Sequence, residues 1–377
     1  MMILPGNTLG MLGGGQLGRM FTIAARSMGY EVIVLDPDTF SPAGRLASQH
    51  ICAKYDDAAA LNAMNKSCAA ITTEFENIPA EILEQLAVNL PVRPGARAVT
   101  ITQDRSHEKT FLRDKGFPTA PFVIIRSDAD LDGALQTITT PAILKVSRFG
   151  YDGKGQYSVN SEADLQNGWA ALGGNECVLE QRMPLDVEIS VVLARSTRNE
   201  TSTFPVGENI HEHGILDVSI VPARVSPALC DKAVAMATEI ALALDYVGVM
   251  AVEFFISNGE LLVNEIAPRP HNSGHYTLDA TATSQFEQQV RAVCGLPLGD
   301  TRLLSPVVMV NMLGDIWHNN QPPQWDKLLS HGNVKLHLYG KREARPGRKM
   351  GHYNVLAGDV ESALQLARDI QQQLATP

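Results

Sequence analysis

The stretch that decides the fold is residues 249–275, VMAVEFFISNGELLVNEIAPRPHNSGH. Two apolar runs, 250–256 and 260–266, flank a short segment that contains Asn-Gly, and this dipeptide between such runs is a strong short-range signal for a β-hairpin. Each run also carries one glutamate, Glu253 or Glu265. The stretch therefore predicts two antiparallel strands, each with an acid inside an apolar run.

The relative position of the two glutamates depends on the length of the turn. A two-residue turn would place Glu253 opposite Asn264, with Glu265 on the other face. A three-residue loop pairs Glu253 with Val263 instead. It then sets Glu265 opposite Ala251, on the same face as Glu253. We predict the three-residue loop, because two buried acids on one face would be stabilised by a cation, and oxygen ligands with nucleotide phosphates suit Mg²⁺. Two solvent-facing glutamates are the alternative.

The polar segment that follows the hairpin is a candidate binding site for an anion. Directly after the second strand come Arg269, His271, Asn272 and Ser273. Their donors next to a cation site suit an anionic substrate. His271 and His275 are four residues apart, but the prolines and glycine around them disfavour the helix that a zinc pair at this spacing needs.

A glycine-rich loop upstream of the hairpin has the composition of a phosphate-binding segment. Lys145 lies near the end of a predicted strand over 142–146, and the loop FGYDGKGQ at 149–156 follows. Its three glycines allow backbone N–H groups to fold over phosphates, while Lys145 and Lys154 supply positive charge at both ends. The P-loop pattern is absent, and a hairpin loop with solvated charges is the alternative.

Another glycine-rich loop, GGGQLG at 13–18, lies between a predicted strand and a helix over 16–28. It matches G-x-G-x-x-G, and Asp36 ends the next strand, where the ribose-binding acid of a dinucleotide site would stand. A nicotinamide dehydrogenase is the obvious interpretation. A phosphorylated sugar would suit the same loop, and purely structural glycines are a third interpretation.

A basic turn, KREARPGRKMGH at 341–352, carries a local positive charge in a chain whose net charge is negative. It holds five Lys and Arg residues against one Glu. This local excess of positive charge is typical of a phosphate pocket, with a solvated hairpin loop as the alternative.

Composition limits the classes of function. Of the 377 residues, 45% are hydrophobic and 19% are charged, as in a soluble globular protein and unlike a disordered one. The net charge of −10 disfavours nucleic-acid binding. No apolar run reaches the ~18 residues of a membrane span. Five scattered cysteines without a C-x-x-C pair indicate a reducing compartment, so we expect a cytoplasmic protein.

The order of the predicted elements indicates three domains in an α/β and α+β chain. Residues 1–100 alternate strand and helix, which implies a parallel, Rossmann-like sheet. Residues 101–300 contain hairpin strands with helices between them. Residues 301–377 form a small α/β domain that ends in a helix over 360–374.

Taken together, the motifs resemble those of the ATP-grasp ligases and, more narrowly, of the carboxyaminoimidazole ribonucleotide synthases. The similarity extends over nearly the whole chain: GGGQLGRM at 13–20, TTEFENIP at 72–79, GYDGKGQ at 150–156, EQRM at 180–183, NEIAPRPHNSGHYT at 264–277 and PGRKMGHYN at 346–354. The resemblance implies an ATP-grasp domain of two subdomains between the N- and C-terminal domains. It also implies ATP- and bicarbonate-dependent carboxylation of aminoimidazole ribonucleotide through carboxyphosphate in purine biosynthesis, with Mg²⁺, in a homodimer.

The resemblance also assigns residues to ligands. For ATP it implies Arg105, Lys145, Gly150, Tyr151, Asp152, Gly153, Lys154, Gly155, Gln156, Glu180, Gln181, Arg182, Met183, Glu188, His211, Asn264 and Glu265. The 180–183 strand would supply backbone groups to adenine and Glu188 would bind ribose. For the metal it implies Glu253 and Glu265. Ala267 stands where many ATP-grasp enzymes have Asn, which leaves the third protein ligand open.

For the other two substrates, the resemblance implies a set of catalytic and binding residues. Those nearest the chemistry are Tyr151, Lys154, Arg269 and His271. The remaining substrate positions are Gly15, Gln16, Leu17, Glu76, Asn272, Ser273, Arg348 and Lys349. We expect Arg269 and Lys154 to hold bicarbonate, and His271 or a phosphate oxygen to accept the amine proton. Lys349, with Arg348, would bind the 5′-phosphate of the ribonucleotide.

Three other functions are alternatives. A nicotinamide oxidoreductase would use the loop at 13–18 but leaves Glu253, Glu265 and the second glycine-rich loop unexplained. A non-catalytic nucleotide sensor would bind ATP without turnover. A related ATP-grasp ligase that joins formate or an amino acid is nearer to the predicted chemistry.

Overall fold

The computed structural model describes residues 2–150, 153–317 and 321–375. Tyr151 and Asp152, which the sequence assigns to the phosphate-binding loop, lie outside the described residues. Within them, no helix is both long enough and apolar enough to cross a bilayer.

The N-terminal part is a parallel sheet with helices on both faces, as the alternation of strands and helices predicts. The strand order is β3-β2-β1-β4. Its elements are β1 (Thr8–Leu12), α1 (Gln16–Ser27), β2 (Glu31–Leu35), β3 (Gln49–Ile51), α2 (Ala58–Ser67), β4 (Ala70–Thr73), α3 (Ala80–Ala87) and α4 (Ala96–Thr102). On β2, Val32 and Val34 pack in the same cluster as Phe21 of α1, whereas Ile33 packs with Leu61 of α2. Side chains alternate across a strand, so both faces of this sheet are covered.

A small antiparallel sheet follows, with strand order β5-β8-β6-β7. This segment contains α5 (Arg105–Asp114), β5 (Phe122–Ile125), α6 (Ala134–Thr137), β6 (Ala142–Val146), β7 (Gln156–Val159), α7 (Glu162–Ala171) and β8 (Cys177–Gln181). The second glycine-rich loop joins β6 to β7, so it is the connection of a β-hairpin. The predicted strand over 142–146 is confirmed.

The third sheet has nine described strands and reaches into the C-terminal part of the chain. Its elements and those that pack on it are β9 (Val187–Arg195), β10 (Thr201–Thr203), β11 (Gly207–Glu212), β12 (Ile215–Val221), α8 (Pro227–Ala243), β13 (Gly248–Ser257), β14 (Glu260–Ala267), α9 (Thr277–Ala280), α10 (Gln285–Cys294), β15 (Val307–Leu313), α11 (Trp325–Leu329), β16 (Val334–Leu338), β17 (Lys349–Leu356) and α12 (Val360–Ala375). The main path runs β14-β13-β9-β11-β12-β15-β17-β16, and β10 pairs with β9. Because β12 pairs with β15, the basic turn between β16 and β17 belongs to the same sheet as the glutamate hairpin.

Helix packing joins the core of the N-terminal sheet to the middle of the chain. Phe286 and Val290 of α10 lie in the cluster that contains Leu17 and Met20 of α1, so the middle of the chain packs directly on the N-terminal sheet. A separate cluster places Ile240 of α8 against β9 and β13. These contacts fix the middle of the chain, with its glutamate hairpin, against the N-terminal sheet.

Candidate active site

The turn of the glutamate hairpin is shorter than the sequence analysis predicts. Ser257 pairs with Glu260, so only Asn258 and Gly259 form the turn. Both residues have positive φ, 51° and 76°, which asparagine and glycine tolerate best and which a type I′ turn requires. The predicted three-residue loop is therefore wrong.

A β-bulge nevertheless brings the two glutamates together. Phe254 pairs with Val263, whereas Glu253 pairs directly with Glu265 and leaves Asn264 as the extra residue. Directly opposite residues project from the same face of a sheet, so the shared face is confirmed although the predicted Glu253–Val263 pairing is not. The bulge, and not the turn, is what aligns the carboxylates.

The hairpin offers suitable donors for a divalent cation. Glu253 is 14% exposed and Glu265 is 37% exposed at the side chain. The Oδ1 atom of Asn264 is buried and has no hydrogen-bond partner. Two carboxylates and an orphaned amide oxygen match the oxygen ligands that Mg²⁺ prefers. Among the described residues no group of three or more His, Cys, Asp or Glu side chains could hold a metal, so such an ion would depend on other ligands as well.

The imidazole of His271 lies within ion-pair distance of one of the paired carboxylates. Its Nε2 lies 3.0 Å from Oε1 of Glu253. Burial raises the pKa of Glu253, but the contact with His271 and the charges of His271, His211 and Lys349 outweigh it and lower the pKa to about 2. Glu253 is therefore a carboxylate at neutral pH, ready to act as a ligand.

His275 does not join His271 in a metal site. Nε2 of Gln285 lies 3.0 Å from Nδ1 of His275, and the His275 ring lies 4.9 Å from that of His352. Burial lowers the pKa of His275 well below its ordinary value.

A buried cluster of charges lies beside the hairpin and is centred on Glu180. The carboxylate is 3.2 Å from Nζ of Lys145, 3.3 Å from Nζ of Lys109 and 3.7 Å from Nη1 of Arg105. Burial alone would raise the pKa of Glu180, but these cations lower it to about 2. Arg105 also reaches Glu265, at 3.2 Å, and so connects this cluster with the hairpin.

Two residues of this region were missed by the sequence analysis. Lys109 is completely buried and follows Arg105 by four residues on α5, a spacing that places both on one face of the helix. Glu108 accepts a hydrogen bond from the backbone of Ile266, and burial raises its pKa to about 8. The helical spacing of Arg105 and Lys109 was a usable signal, whereas nothing local to Glu108 indicated its contact with the hairpin.

The cleft between these groups is also lined by residues from the N-terminal part. Glu76 accepts a hydrogen bond of 2.6 Å from Nε of Arg269, and both line the same cleft as Arg105, Glu265 and Gly150. Burial raises the pKa of Glu76, but the charge of Arg269 outweighs it and the net shift is downward. The structure therefore brings together residues that are almost 200 positions apart.

A larger cavity, of about 420 Å³, lies away from this chemistry. It is lined by Trp317, Trp325 and the first residues of the basic turn, and not by the paired glutamates. We therefore place the candidate active site in the smaller charged cleft.

Other predicted ATP residues lie on the neighbouring strands. Nδ1 of His211 is 2.8 Å from Oε2 of Glu188, and the proximity of this carboxylate outweighs burial and raises the pKa of His211. The backbone N–H groups of Gln181 and Arg182 donate to Pro121 and Pro141. Beyond them, Met183 is partly buried, Gly155 has a φ of 72°, and the side chains of Lys154 and Gln156 are exposed on the β6–β7 hairpin.

The glycine-rich loop at 13–18 is occupied by carboxylates of the chain itself. Gly14 N–H donates to Asp36 and Gly18 N–H donates to Glu74, each at 2.7 Å, and Gly15 also donates to Glu74. A dinucleotide pyrophosphate would need the same N–H groups and would meet two negative charges there. This arrangement argues against the dehydrogenase interpretation.

Of the predicted substrate residues in that loop, Gln16 is partly buried and Leu17 packs its side chain in the core. Burial, partly offset by the two glycine N–H groups, raises the pKa of Glu74 to about 7.

The basic turn is held by contacts within itself and with the N-terminal part. Lys341 donates to the carbonyl of Lys349 at 2.7 Å, and Arg348 donates to that of Glu343 at 2.9 Å. The guanidinium of Arg342 lies over the ring of Phe40, 3.1 Å from its centroid. Hydrogen bonds within the turn thus fix its conformation, and the Arg342–Phe40 contact joins it to the N-terminal part.

Three family models match consecutive parts of the chain. A ribonucleotide synthetase preATP-grasp domain matches residues 6–103, an ATP-grasp domain matches 110–286 and a phosphoribosylaminoimidazole carboxylase C-terminal domain matches 307–366. Together with the sheets and the charged cleft, these matches define the chain as an ATP-grasp enzyme with an N-terminal parallel sheet and a C-terminal domain.

Similar proteins narrow this class. An N5-carboxyaminoimidazole ribonucleotide synthase of Bacillus subtilis is 46% identical, over 96% of this chain and 95% of the relative. A crystal structure of an N5-carboxyaminoimidazole ribonucleotide synthetase with ADP has a TM-score of 0.92 at 44% identity and covers 99% of both chains. The Aspergillus clavatus synthase, solved with ADP and aminoimidazole ribonucleotide, has a TM-score of 0.91 at 30% identity and covers 98% of both chains. The chain belongs to the N5-carboxyaminoimidazole ribonucleotide synthase family.

Proposed function

We propose that this enzyme uses ATP to carboxylate the amine of aminoimidazole ribonucleotide with bicarbonate. The observation that carries the proposal is the bulged hairpin, which sets Glu253 opposite Glu265 beside Arg105, Arg269 and His271. The family membership of the chain agrees with this reaction, and the relative solved with ADP and the ribonucleotide supports both as substrates.

The chemistry has to overcome the poor reactivity of bicarbonate, whose carbon carries delocalised negative charge. A bicarbonate oxygen attacks the γ-phosphorus of ATP, the bond to ADP breaks, and carboxyphosphate forms. Carboxyphosphate then releases CO₂ and phosphate beside the amine. The amine nitrogen bonds to the CO₂ carbon and loses one proton. The demand on the protein is mainly electrostatic, because phosphoryl transfer requires positioning and charge stabilisation.

The cleft divides this work among its charged groups. We assign Arg105, Lys145 and the loop at 150–156 to the phosphates of ATP, since the buried cations around Glu180 lie beside the β6–β7 hairpin. We assign Glu188 and His211 to the ribose of ATP. Residues 180–183 would bind its adenine. Arg269, with Lys154, would hold bicarbonate in line with the γ-phosphate.

Glu253 and Glu265 would hold Mg²⁺, with the buried amide oxygen of Asn264 as a further donor. When bound, the ion would offset the charge that develops on the transferring phosphoryl group. Ala267 carries no ligand atom, which is why a third donor has to come from elsewhere.

The ribonucleotide would lie between the N-terminal loop and the basic turn. We assign Glu76, Asn272, Ser273, Arg348 and Lys349 to it, together with the loop residues Gly15, Gln16 and Leu17. The position of Lys349 supports this, because its charge lowers the pKa of Glu253 and it therefore projects towards the hairpin.

Two properties of the whole protein complete the proposal. We infer a homodimer of three-domain subunits (1–100, 101–300 and 301–377), as the family resemblance implies. The mass in solution, measured by light scattering, tests this oligomeric state. All five cysteines are free in the structure, which supports a reducing, cytoplasmic location.

Release of inorganic phosphate tests the reaction. We expect ATP cleavage to require both bicarbonate and aminoimidazole ribonucleotide for efficient turnover, and one ribonucleotide to be carboxylated per phosphate. Formate or an amino acid in place of bicarbonate provides the matched control for a related ligase. Phosphate release with either of those and not with bicarbonate would contradict the proposal, and ATP binding without turnover would indicate a nucleotide sensor.

A further inference from the structure

A continuous line of polar contacts, one ion pair followed by four hydrogen bonds, leads from the paired glutamates into the large sheet. It connects Glu253, His271, Ser273, Ser190, Asn209 and Ser219, with successive distances of 3.0, 2.9, 2.7, 2.9 and 2.8 Å. All of its members beyond Glu253 are less than 9% exposed. Since a buried polar group without a partner is costly, these bonds fix how each side chain is oriented.

The direction of the bonds follows from the amide of Asn209. Its Nδ2 can only donate, and it donates to Oγ of Ser190. The hydrogen of the Ser190 hydroxyl is then directed to Oγ of Ser273, which leaves the Ser273 hydroxyl hydrogen to point at Nδ1 of His271. At the far end, the hydroxyl of Ser219 donates to Oδ1 of Asn209.

A second observation supports the same direction. The backbone N–H of Ser273 also donates to Nδ1 of His271, at 3.3 Å. If the amide of Asn209 were reversed, every hydroxyl would turn round and Nδ1 would have to carry a hydrogen. That hydrogen would face the backbone N–H of Ser273, so two donors would meet.

We propose that Ser219, Asn209 and Ser190 are positioning residues that act through Ser273 to hold His271 with its hydrogen on Nε2. The imidazole is then a hydrogen-bond donor towards the cleft, first to Glu253 and, in the working enzyme, to an anionic oxygen of bicarbonate or carboxyphosphate. This inference rests on the proposed function for its ligand, but the orientation of the ring does not.

The consequence for the reaction is that His271 is not the base. In this tautomer Nδ1 already accepts from Ser273 and Nε2 already carries a hydrogen, so His271 presents no free lone pair to the amine. The amine proton therefore goes to an oxygen of the phosphate released from carboxyphosphate. Of the two acceptors that the sequence analysis left open, the hydrogen-bond geometry points to the phosphate oxygen.

The tautomer can be read directly by nitrogen NMR of ¹⁵N-histidine-labelled enzyme without substrates. His271 is one of ten histidines, and its signals are assigned by their loss in His271→Gln. We expect a hydrogen-bearing Nε2 and a hydrogen-free Nδ1 in the wild type. A hydrogen on Nδ1 would overturn the proposal, whatever the variants do.

Two variants test the positioning residues. Asn209→Asp keeps the shape but offers only acceptors, so Ser190 turns its hydroxyl towards residue 209 and the tautomer of His271 moves to Nδ1–H. Ser190→Ala interrupts the line and gives a mixture of both tautomers. The control is Ser257→Ala, because Ser257 is also buried, lies on β13 and has a hydroxyl outside this line.

We expect kcat to fall together with the fraction of the Nε2–H tautomer, by roughly 10- to 100-fold in Asn209→Asp and less in Ser190→Ala, with Ser257→Ala unchanged. A fall in kcat without a change of tautomer in folded protein would show a merely structural role and overturn the proposal. If Asn209→Asp does not fold, the wild-type spectrum and the Ser190→Ala variant still test whether the line of contacts sets the tautomer of His271. Failure of the phosphate-release assay would remove the proposed function but leave the tautomer measurement standing.

Discussion

At the scale of the residue, the hairpin carboxylates define the chemistry, and Glu265 is the clearest test. Glu265→Gln preserves shape and removes one charge from the candidate cation site. We expect kcat to fall by ~10²–10³-fold, because one electrostatic contact to the transferring group is lost, while the melting temperature changes little. Steady-state phosphate release over a range of Mg²⁺ concentrations measures this.

Glu260→Gln is the matched control for that variant. Glu260 lies on the same strand, is 75% exposed and forms a surface ion pair with Lys232. A near-normal kcat for Glu265→Gln at saturating Mg²⁺ would mean that Glu265 is not a metal ligand.

Glu180 links the charged cluster to the pH dependence of stability. Its pKa is lowered from 4.5 to about 2 in the folded protein, so the unfolded chain binds the proton more readily between these values. The carboxylate therefore stabilises the fold above about pH 4.5, and this contribution is lost as the pH falls through about 2. Glu180→Gln should lack this part of the acid dependence.

The same variant should also be less stable at neutral pH. Removal of the charge leaves Lys109 and Lys145 buried without their carboxylate, which costs ~3–5 kcal/mol of unfolding free energy. Urea unfolding at pH 7 and between pH 4.5 and 2.5 measures both effects, with Glu176→Gln as a control near the protein surface. Equal stability of the wild type and Glu180→Gln at pH 7 would contradict the role of the cluster.

At the scale of the element, β17 begins at Lys349, whose charge lowers the pKa of Glu253 in the hairpin. Lys349→Ala should raise KM for the ribonucleotide by one to two decades, since a charge-assisted contact to its phosphate is worth ~1.5–3 kcal/mol. KM for ATP should stay nearly unchanged, and the effect should shrink at high salt if water reaches the contact.

The control for this element is Lys335→Ala, because Lys335 is an exposed lysine on the neighbouring strand β16. A loss of ATP affinity in Lys349→Ala with a normal KM for the ribonucleotide would place the basic turn on the other substrate.

At the scale of the whole molecule, polar contacts attach the C-terminal strands β16 and β17 to helix α9. Asp279 accepts hydrogen bonds of 2.8 Å from His337 and 2.7 Å from Asn354. Asp279→Ala leaves both donors without this partner and should lower the free energy of unfolding by ~1–3 kcal/mol. It should also raise KM for the ribonucleotide, because the strands that carry the basic turn are held less firmly.

Chemical unfolding and steady-state kinetics test this coupling between parts of the chain. Asp300→Ala is the control, since Asp300 is 56% exposed and pairs with the nearby Arg302. If Asp279→Ala loses stability but keeps its kinetic constants, the polar contacts hold the fold together without positioning the basic turn.

Local patterns in the sequence account for much of the architecture. The strand over 142–146, the helix over 16–28 and the hairpin around Asn258-Gly259 are confirmed within a residue or two, because side-chain periodicity and turn chemistry act between near neighbours. The residue types at the candidate site could be identified for the same reason: acids in apolar runs and glycines beside lysines are visible in the linear chain.

What the sequence determined by itself is therefore the kind of elements and the kind of chemistry, and what tertiary structure decided is their alignment. The bulge at Asn264 aligns the glutamates, although the turn alone would have separated them. Likewise, Glu74 takes the N–H groups of the first glycine-rich loop, and Ser190 reaches Ser273 across 83 positions. The physical reason is that a strand's register and a buried hydrogen bond depend on partners far away in the chain, which only the packed fold brings into contact.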